Sequence, residues 1–168
     1  MGKARERSLD RASVYYARPD GSMIKEVIFP MLTANGIGLS PDGTRLYVAE
    51  TITARLWEFT LTGPGAIDPH PWPSPHGGRL LTGSAHYQMF DSLAVEQGGH
   101  ICVATVIHGG ITIIAPQGGV VGHVPVPDLY ATNLCFGGVD MRTAYVTLST
   151  TGHLVALDWP RPGLRLHH

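Results

Sequence analysis

The sequence predicts an all-β chain, a β-propeller arc of about three and a half four-stranded blades, and three observations carry that prediction. A strand–turn–strand–strand unit occurs three times in register. Helical periodicity is missing, since no window keeps a 3.6-residue period beyond two turns without Gly or Pro. The 21 Gly and 13 Pro are spread along the chain, as many tight turns between short strands require.

The first unit runs Ala34-Asn35-Gly36-Ile37-Gly38-Leu39, turns through Ser40-Pro41-Asp42-Gly43, and continues in Arg45-Leu46-Tyr47-Val48-Ala49. The second runs Phe90-Asp91-Ser92-Leu93-Ala94-Val95, turns at Gln97-Gly98-Gly99, and continues in Ile101-Cys102-Val103-Ala104. The third runs Thr132-Asn133-Leu134-Cys135-Phe136, turns at Gly137-Gly138, and continues in Ala144-Tyr145-Val146-Thr147. Third strands follow at Leu56-Trp57-Glu58-Phe59, Ile111-Thr112-Ile113-Ile114 and Leu154-Val155-Ala156-Leu157. Leu56, Ile111 and Leu154 lie 21 (56 − 35), 20 (111 − 91) and 21 (154 − 133) residues after Asn35, Asp91 and Asn133. Repeats of this length made of short antiparallel strands are the mark of propeller blades.

The spacing between units is 56 (91 − 35) and then 42 (133 − 91). The excess falls between Thr62 and Ser84, where Pro64, Pro69, Pro71, Pro73 and Pro75 crowd together. Proline cannot donate to a ladder, so this stretch reads as a loop inserted into a blade. At the N-terminal end, Val14-Tyr15-Tyr16-Ala17 and Ile24-Lys25-Glu26-Val27-Ile28 flank an Arg18-Pro19-Asp20-Gly21 turn and match the third and fourth strands of a unit. The arc therefore opens in mid-blade. Residues 1–11 are expected to form a poorly ordered extension and 12–168 the propeller portion. A closed toroid takes at least four blades, so raw faces are expected around Val14 to Ile28 and around Leu154 to Trp159. A homodimer closing the open arc would cover them.

Composition narrows the function classes. A net charge of -1 with no basic stripe argues against a nucleic-acid partner. No apolar run of membrane-spanning length occurs, and no apolar segment follows Met1-Gly-Lys-Ala-Arg-Glu-Arg, so neither a membrane span nor a secretory signal is read. Cys102 and Cys135 sit in apolar strand-like runs and are expected as buried free thiols, which suits a cytoplasmic setting.

Asn35, Asp91 and Asn133 hold the same place in the three units, at the start of the strand that lines a propeller's channel. One such residue is explained by a local side-chain turn. Three in register point to one axial site, and their oxygens suit a hard divalent cation, Ca²⁺ or Mg²⁺. Other candidates carry less. Gly36-x-Gly38 lacks a third glycine and a helix, so it is no dinucleotide site. His70, His76 and His86 lie in or near the proline-rich loop without ligand spacing and read as solvated, and His108 and His153 read as exposed. Glu50 has two readings, channel mouth or surface. Trp57, Trp72 and Trp159 are expected to pack.

The segments Asn35-Gly36-Ile37-Gly38-Leu39-Ser40-Pro41-Asp42-Gly43 with Leu46-Tyr47-Val48-Ala49-Glu50-Thr51, Phe90-Asp91-Ser92-Leu93-Ala94-Val95, Thr132-Asn133-Leu134-Cys135-Phe136-Gly137-Gly138 and Ala144-Tyr145-Val146-Thr147 resemble, in order and spacing, the motifs of the SMP-30/gluconolactonase/LRE-like family. The likeness runs from about residue 12 to 165. It implies the C-terminal half of a six-bladed propeller that hydrolyses a small-molecule lactone with a divalent metal, usually Ca²⁺, with Mg²⁺, Zn²⁺ or Mn²⁺ as alternatives. It also implies that Asn35 and Asp91 hold the metal, together with a Glu from an early strand that lies upstream of the matched segment. Asn133 would be a further channel residue. Asp91 is the one carboxylate among the three, so it is expected to serve as both ligand and general base. Ala34 and Ser92 depart from the family's usual Pro and Gly. A non-catalytic fragment or binding module is the alternative reading.

Overall fold

The computed structural model describes residues 11–166 and contains no helix among them. A two-stranded antiparallel sheet, β1 (Arg11–Ala17) and β2 (Ile24–Leu32), opens the arc. The next sheet orders β3 (Ala34–Leu39), β4 (Arg45–Glu50) and β5 (Arg55–Gly63). Two short strands, β6 (Ala66–Asp68) and β7 (Arg79–Gly83), share its outer position, because both pair with β5. The proline-rich insertion thus splits a blade's fourth strand and bulges out between β6 and β7. A regular four-stranded blade follows: β8 (Met89–Val95), β9 (Ile101–Val106), β10 (Gly110–Ile114) and β11 (Val120–Pro125). The last sheet has β12 (Ala131–Gly137), β13 (Thr143–Leu148) and β14 (His153–Asp158). Every ladder is antiparallel. The expected poorly ordered extension lies, save for Arg11 in β1, outside the described residues.

The turns follow from their side chains. In the first unit the Asp42 carboxylate accepts from the Ser40 and Thr44 hydroxyls and from the Thr44 amide, while Gly43 takes a φ of 69°. Those donors hold the Asp42 carboxyl at about 2. Only a residue without a Cβ adopts such a φ at no cost, which is why Gly closes the turn.

Three apolar layers sit between successive sheets. Val14, Ile28, Met31, Val48, Trp57 and Phe59 fill the first, and Tyr47, Leu56, Phe90, Leu93, Ile101 and Ile114 lie in the second. Cys102, Ile111, Leu134, Val146 and Trp159 lie in the third. Strand β9 is buried along its whole length because its alternating side chains serve two layers: Ile101 and Val103 point into one, Cys102 and Ala104 into the other. Strands buried on both faces read as continuous apolar runs, which accounts for the 43% hydrophobic content. Each such Ile or Phe contributes about 2 kcal/mol of burial.

Several side chains depart from expectation. Cys135 is exposed, because it faces outward on β12, the inner strand of the terminal sheet; Cys102 is buried as expected. Trp72 is 90% exposed at the tip of the proline-rich loop, whereas Trp57 and Trp159 pack in the core. His76 is not solvated but half-buried, with its ring edge-on to Trp57 at 4.4 Å and tilted over Phe59 at 5.4 Å. Burial keeps its imidazole below the usual histidine range. The faces expected to be raw are so on one side only. Val14 and Ile28 are buried against the next sheet, while Tyr15, Ile24 and Phe29 point outward. At the other end Leu154 and Tyr145 point outward.

Candidate functional site

The first strands of the three sheets, β3, β8 and β12, lie side by side. Each carries a register irregularity at its candidate residue. The β3–β4 ladder shifts between Ala34 and Ile37, around Asn35. The β8–β9 ladder shifts between Phe90 and Leu93, around Asp91. The β12–β13 ladder shifts between Ala131 and Asn133. Such irregularities re-aim a side chain out of the ordinary alternation. The sequence repeat thus preserves a backbone distortion as well as a residue class.

Asn35 and Asp91 meet: the Asn35 side-chain amide donates to the Asp91 carboxylate. Asn35 is exposed and Asp91 half-buried. Burial raises the Asp91 carboxyl above the usual range, and the hydrogen bond from Asn35 opposes that rise. Among the described residues no cation pairs with Asp91. Asn133 is exposed, and among the described residues no hydrogen bond joins its side chain to Asn35 or Asp91. Two of the three predicted residues therefore touch, and the third stands on the neighbouring strand.

The donor set suits a hard cation. It offers one carboxylate without a counter-charge, with the Asn35 amide group against it and Asn133 on the neighbouring strand. Among the described residues no three His, Cys, Asp or Glu side chains gather as a cage. Imidazoles lie elsewhere. His108 stacks on His123 at 4.3 Å and shares a hydrogen bond with Gln88.

Buried carboxylates outside the site hold the fold, Glu50, Glu58, Glu96 and Asp128 among the described residues. Glu50 takes neither the channel-mouth nor the surface role. It is buried and accepts from the Leu32 amide at 2.6 Å, the Thr53 hydroxyl at 2.8 Å and the Trp57 indole at 2.9 Å. Sequence reasoning missed Glu96 altogether. It is fully buried and accepts from the Trp159 indole at 2.7 Å and from the Arg161 guanidinium at 2.8 Å. Nothing in the repeat marks it, because its partners lie 63 and 65 residues away in the chain.

The family model described as SMP-30/Gluconolactonase/LRE-like region matches residues 1–150. The chain belongs to that family. It is 27% identical over 137 residues to 6-deoxy-6-sulfogluconolactonase of Pseudomonas putida, covering 79% of this chain and 44% of that one. A gluconolactonase structure from Xanthomonas campestris superposes with a TM-score of 0.71 at 25% identity, over 93% of this chain and 47% of the other. Regucalcin from Agrobacterium tumefaciens, described as a calcium-binding protein, superposes with a TM-score of 0.74 at 21% identity, over 92% and 56%, and so shares the fold. The chain spans about half the length of these relatives or less. No helix among the described residues is long and apolar enough to cross a membrane.

Proposed function

We propose that the protein serves as the metal-holding half of a divalent-cation-dependent lactonase acting on a small-molecule lactone. The observation that carries this reading is the contact between Asn35 and Asp91 on adjacent inner strands, in a chain that belongs to a family with lactonase-named members. Asn35 and Asp91 would hold the cation, Ca²⁺ first among the candidates, with Asn133 as a further channel oxygen. Such a cation, when bound, polarises the lactone carbonyl. Asp91 accepts a proton from the attacking water as the water oxygen bonds to the carbonyl carbon. The ring C–O bond then breaks, and the leaving oxygen takes the proton back as a hydroxyl. Asn35 fixes the direction of the carboxylate through its amide.

A non-catalytic binding module is the second reading. It is favoured by the single carboxylate at the site, since Asp91 alone among the three candidate residues carries a charge. Calorimetric titration with Ca²⁺, followed by a proton-release assay on a δ-lactone with and without chelator, separates the two. The lactonase reading expects saturable Ca²⁺ binding and chelator-sensitive hydrolysis. Binding without hydrolysis supports the module, and absence of both sinks the metal site.

A second copy of the chain is the partner we propose for the terminal sheets. Tyr15 (57% exposed) and Ile24 (75%) point outward at one end, and Leu154 (67%) at the other. One copy brings three inner strands, so two bring six. Exposed apolar clusters of this kind mark association surfaces. Sedimentation at micromolar concentration is expected to show a dimer, and Leu154→Lys is expected to return it to monomer. A well-folded native monomer at that concentration overturns the closure.

A further inference from the structure

We infer that Gly36 is the positioning residue of the candidate site: its missing side chain lets β3 touch the backbone of β8 and so brings Asn35 onto Asp91. This rests on reading Asn35 and Asp91 as the site. A Cβ built on Gly36 would lie 2.7 Å from the Asp91 carbonyl oxygen, 2.8 Å from the Leu93 amide nitrogen and 2.9 Å from the Ser92 carbonyl carbon. All three atoms are backbone, so no rotamer change relieves the contact. Gly36 is not among the residues with positive φ. Its conformation is open to any residue, and space alone demands glycine there. That separates it from Gly43, whose glycine serves a turn.

The next inner-strand pair supplies an internal comparison. The register that places Gly36 after Asn35 places Ser92 after Asp91 and Leu134 after Asn133. Where glycine follows the site residue, the side chains across the gap hydrogen-bond. Where serine follows it, between β8 and β12, no side-chain bond joins Asp91 to Asn133 among the described residues. The reach of the site from one blade to the next thus follows the size of the residue beside each oxygen ligand. Gly38, two residues on, faces the same strand but meets only the ends of the Leu93 and Val95 side chains, at 2.7 and 3.2 Å. Those ends can swing aside, so Gly38 matters less.

The test reads the Asn35–Asp91 contact without metal or substrate. In a ¹H–¹⁵N correlation spectrum the Asn35 side-chain amide is assigned by its disappearance in Asn35→Ala. Asp91→Ala is expected to displace that resonance in the native background and to leave it unmoved in a Gly36→Ala background. Gly98→Ala, whose Cβ would meet nothing within 4 Å, is expected to keep the native displacement. A displacement of equal size with and without Gly36, or its loss in Gly98→Ala as well, overturns the inference. Should Gly36→Ala fail to give a dispersed spectrum, Ser92→Gly tests the same idea on the next pair: Asp91→Ala is then expected to displace the Asn133 side-chain amide, as it does not in the native background, and no such displacement overturns the inference. Calcium titration of the same samples keeps the two ideas apart. If the native chain binds no Ca²⁺ while the resonance behaves as expected, the metal reading falls and the role of Gly36 stands.

Discussion

Asp91→Asn is expected to lower lactone hydrolysis by about 10²- to 10⁴-fold, the usual contribution of a general base, and to weaken Ca²⁺ binding while leaving the fold intact. The change removes one charge and keeps the shape. Asp91 brings the only negative charge of the candidate set, and nothing cationic offsets it among the described residues. Asn35→Asp is expected to act in the opposite direction on binding. It sets a second carboxylate beside the first, which repels without a cation and tightens the hold on one, because site affinity rises with ligand charge. The expected pattern is a Ca²⁺ affinity order of Asn35→Asp above native above Asp91→Asn, with the Asn35→Asp chain regaining thermal stability on Ca²⁺ addition. Calorimetry and a thermal melt with and without Ca²⁺ measure both. Native-level Ca²⁺ binding and hydrolysis in Asp91→Asn would remove Asp91 from both roles.

The architecture was legible because a blade repeats. Asn35, Asp91 and Asn133 aligned the units, and the third strands at Leu56, Ile111 and Leu154 fell inside β5, β10 and β14. That Asn35, Asp91 and Asn133 lie on adjacent inner strands was legible for the same reason, but the repeat does not say which of them touch: Asn35 bonds Asp91, and Asn133 bonds neither among the described residues. The register irregularities around these residues were not, because a bulge adds or skips a partner without changing the residue types that alternate. Solvent exposure at the two ends was misread in part. Val14 and Ile28 carry the apolar signature of a free face, yet they back onto Val48 and Trp57. Which face of a lone hairpin is covered depends on the next sheet, and local pattern is silent about that. Cys135 and Trp72 fail likewise, because an apolar neighbourhood in sequence says nothing about a terminal sheet's outer face or a loop tip. Glu96 was illegible for a further reason. A single acidic residue after an apolar strand reads as a turn, and only the folded chain returns Trp159 and Arg161 to it.

That return predicts a large loss in stability, about 3 kcal/mol for Arg161→Met, at the low end of the cost of stranding one member of a buried ion pair because the arginine itself is partly in water. The carboxylate is fully buried, while the Arg161 side chain is 41% exposed, so the two partners are unequal. Deleting the arginine leaves a charge away from water with the Trp159 indole and the Cys102 thiol as its remaining side-chain donors, and with the His100 ring 3.4 Å away as a counter-charge only once acid protonates it. Deleting the glutamate frees a guanidinium that water can reach. Arg161→Met is therefore expected to cost more than Glu96→Leu, and the double variant less than the sum, since an apolar pair needs no solvation. For a domain held by 5–15 kcal/mol at typical values, roughly a third of the total is at stake. Urea unfolding gives the numbers. The pH dependence supplies a second reading. Burial pushes the Glu96 carboxyl up, but Arg161 and Trp159 outweigh it, so the native group sits below its ordinary value. The native pair is then worth most above the unfolded carboxyl pKa and is lost as pH falls through the folded one. Without Arg161 the burial effect is less opposed, the folded pKa rises, and the variant regains stability as acid neutralises the stranded charge. The gap between native and Arg161→Met is thus expected to be widest near pH 7 and to narrow on acidification. A gap that stays constant from pH 7 to pH 4 would mean that the arginine acts through packing and not through charge.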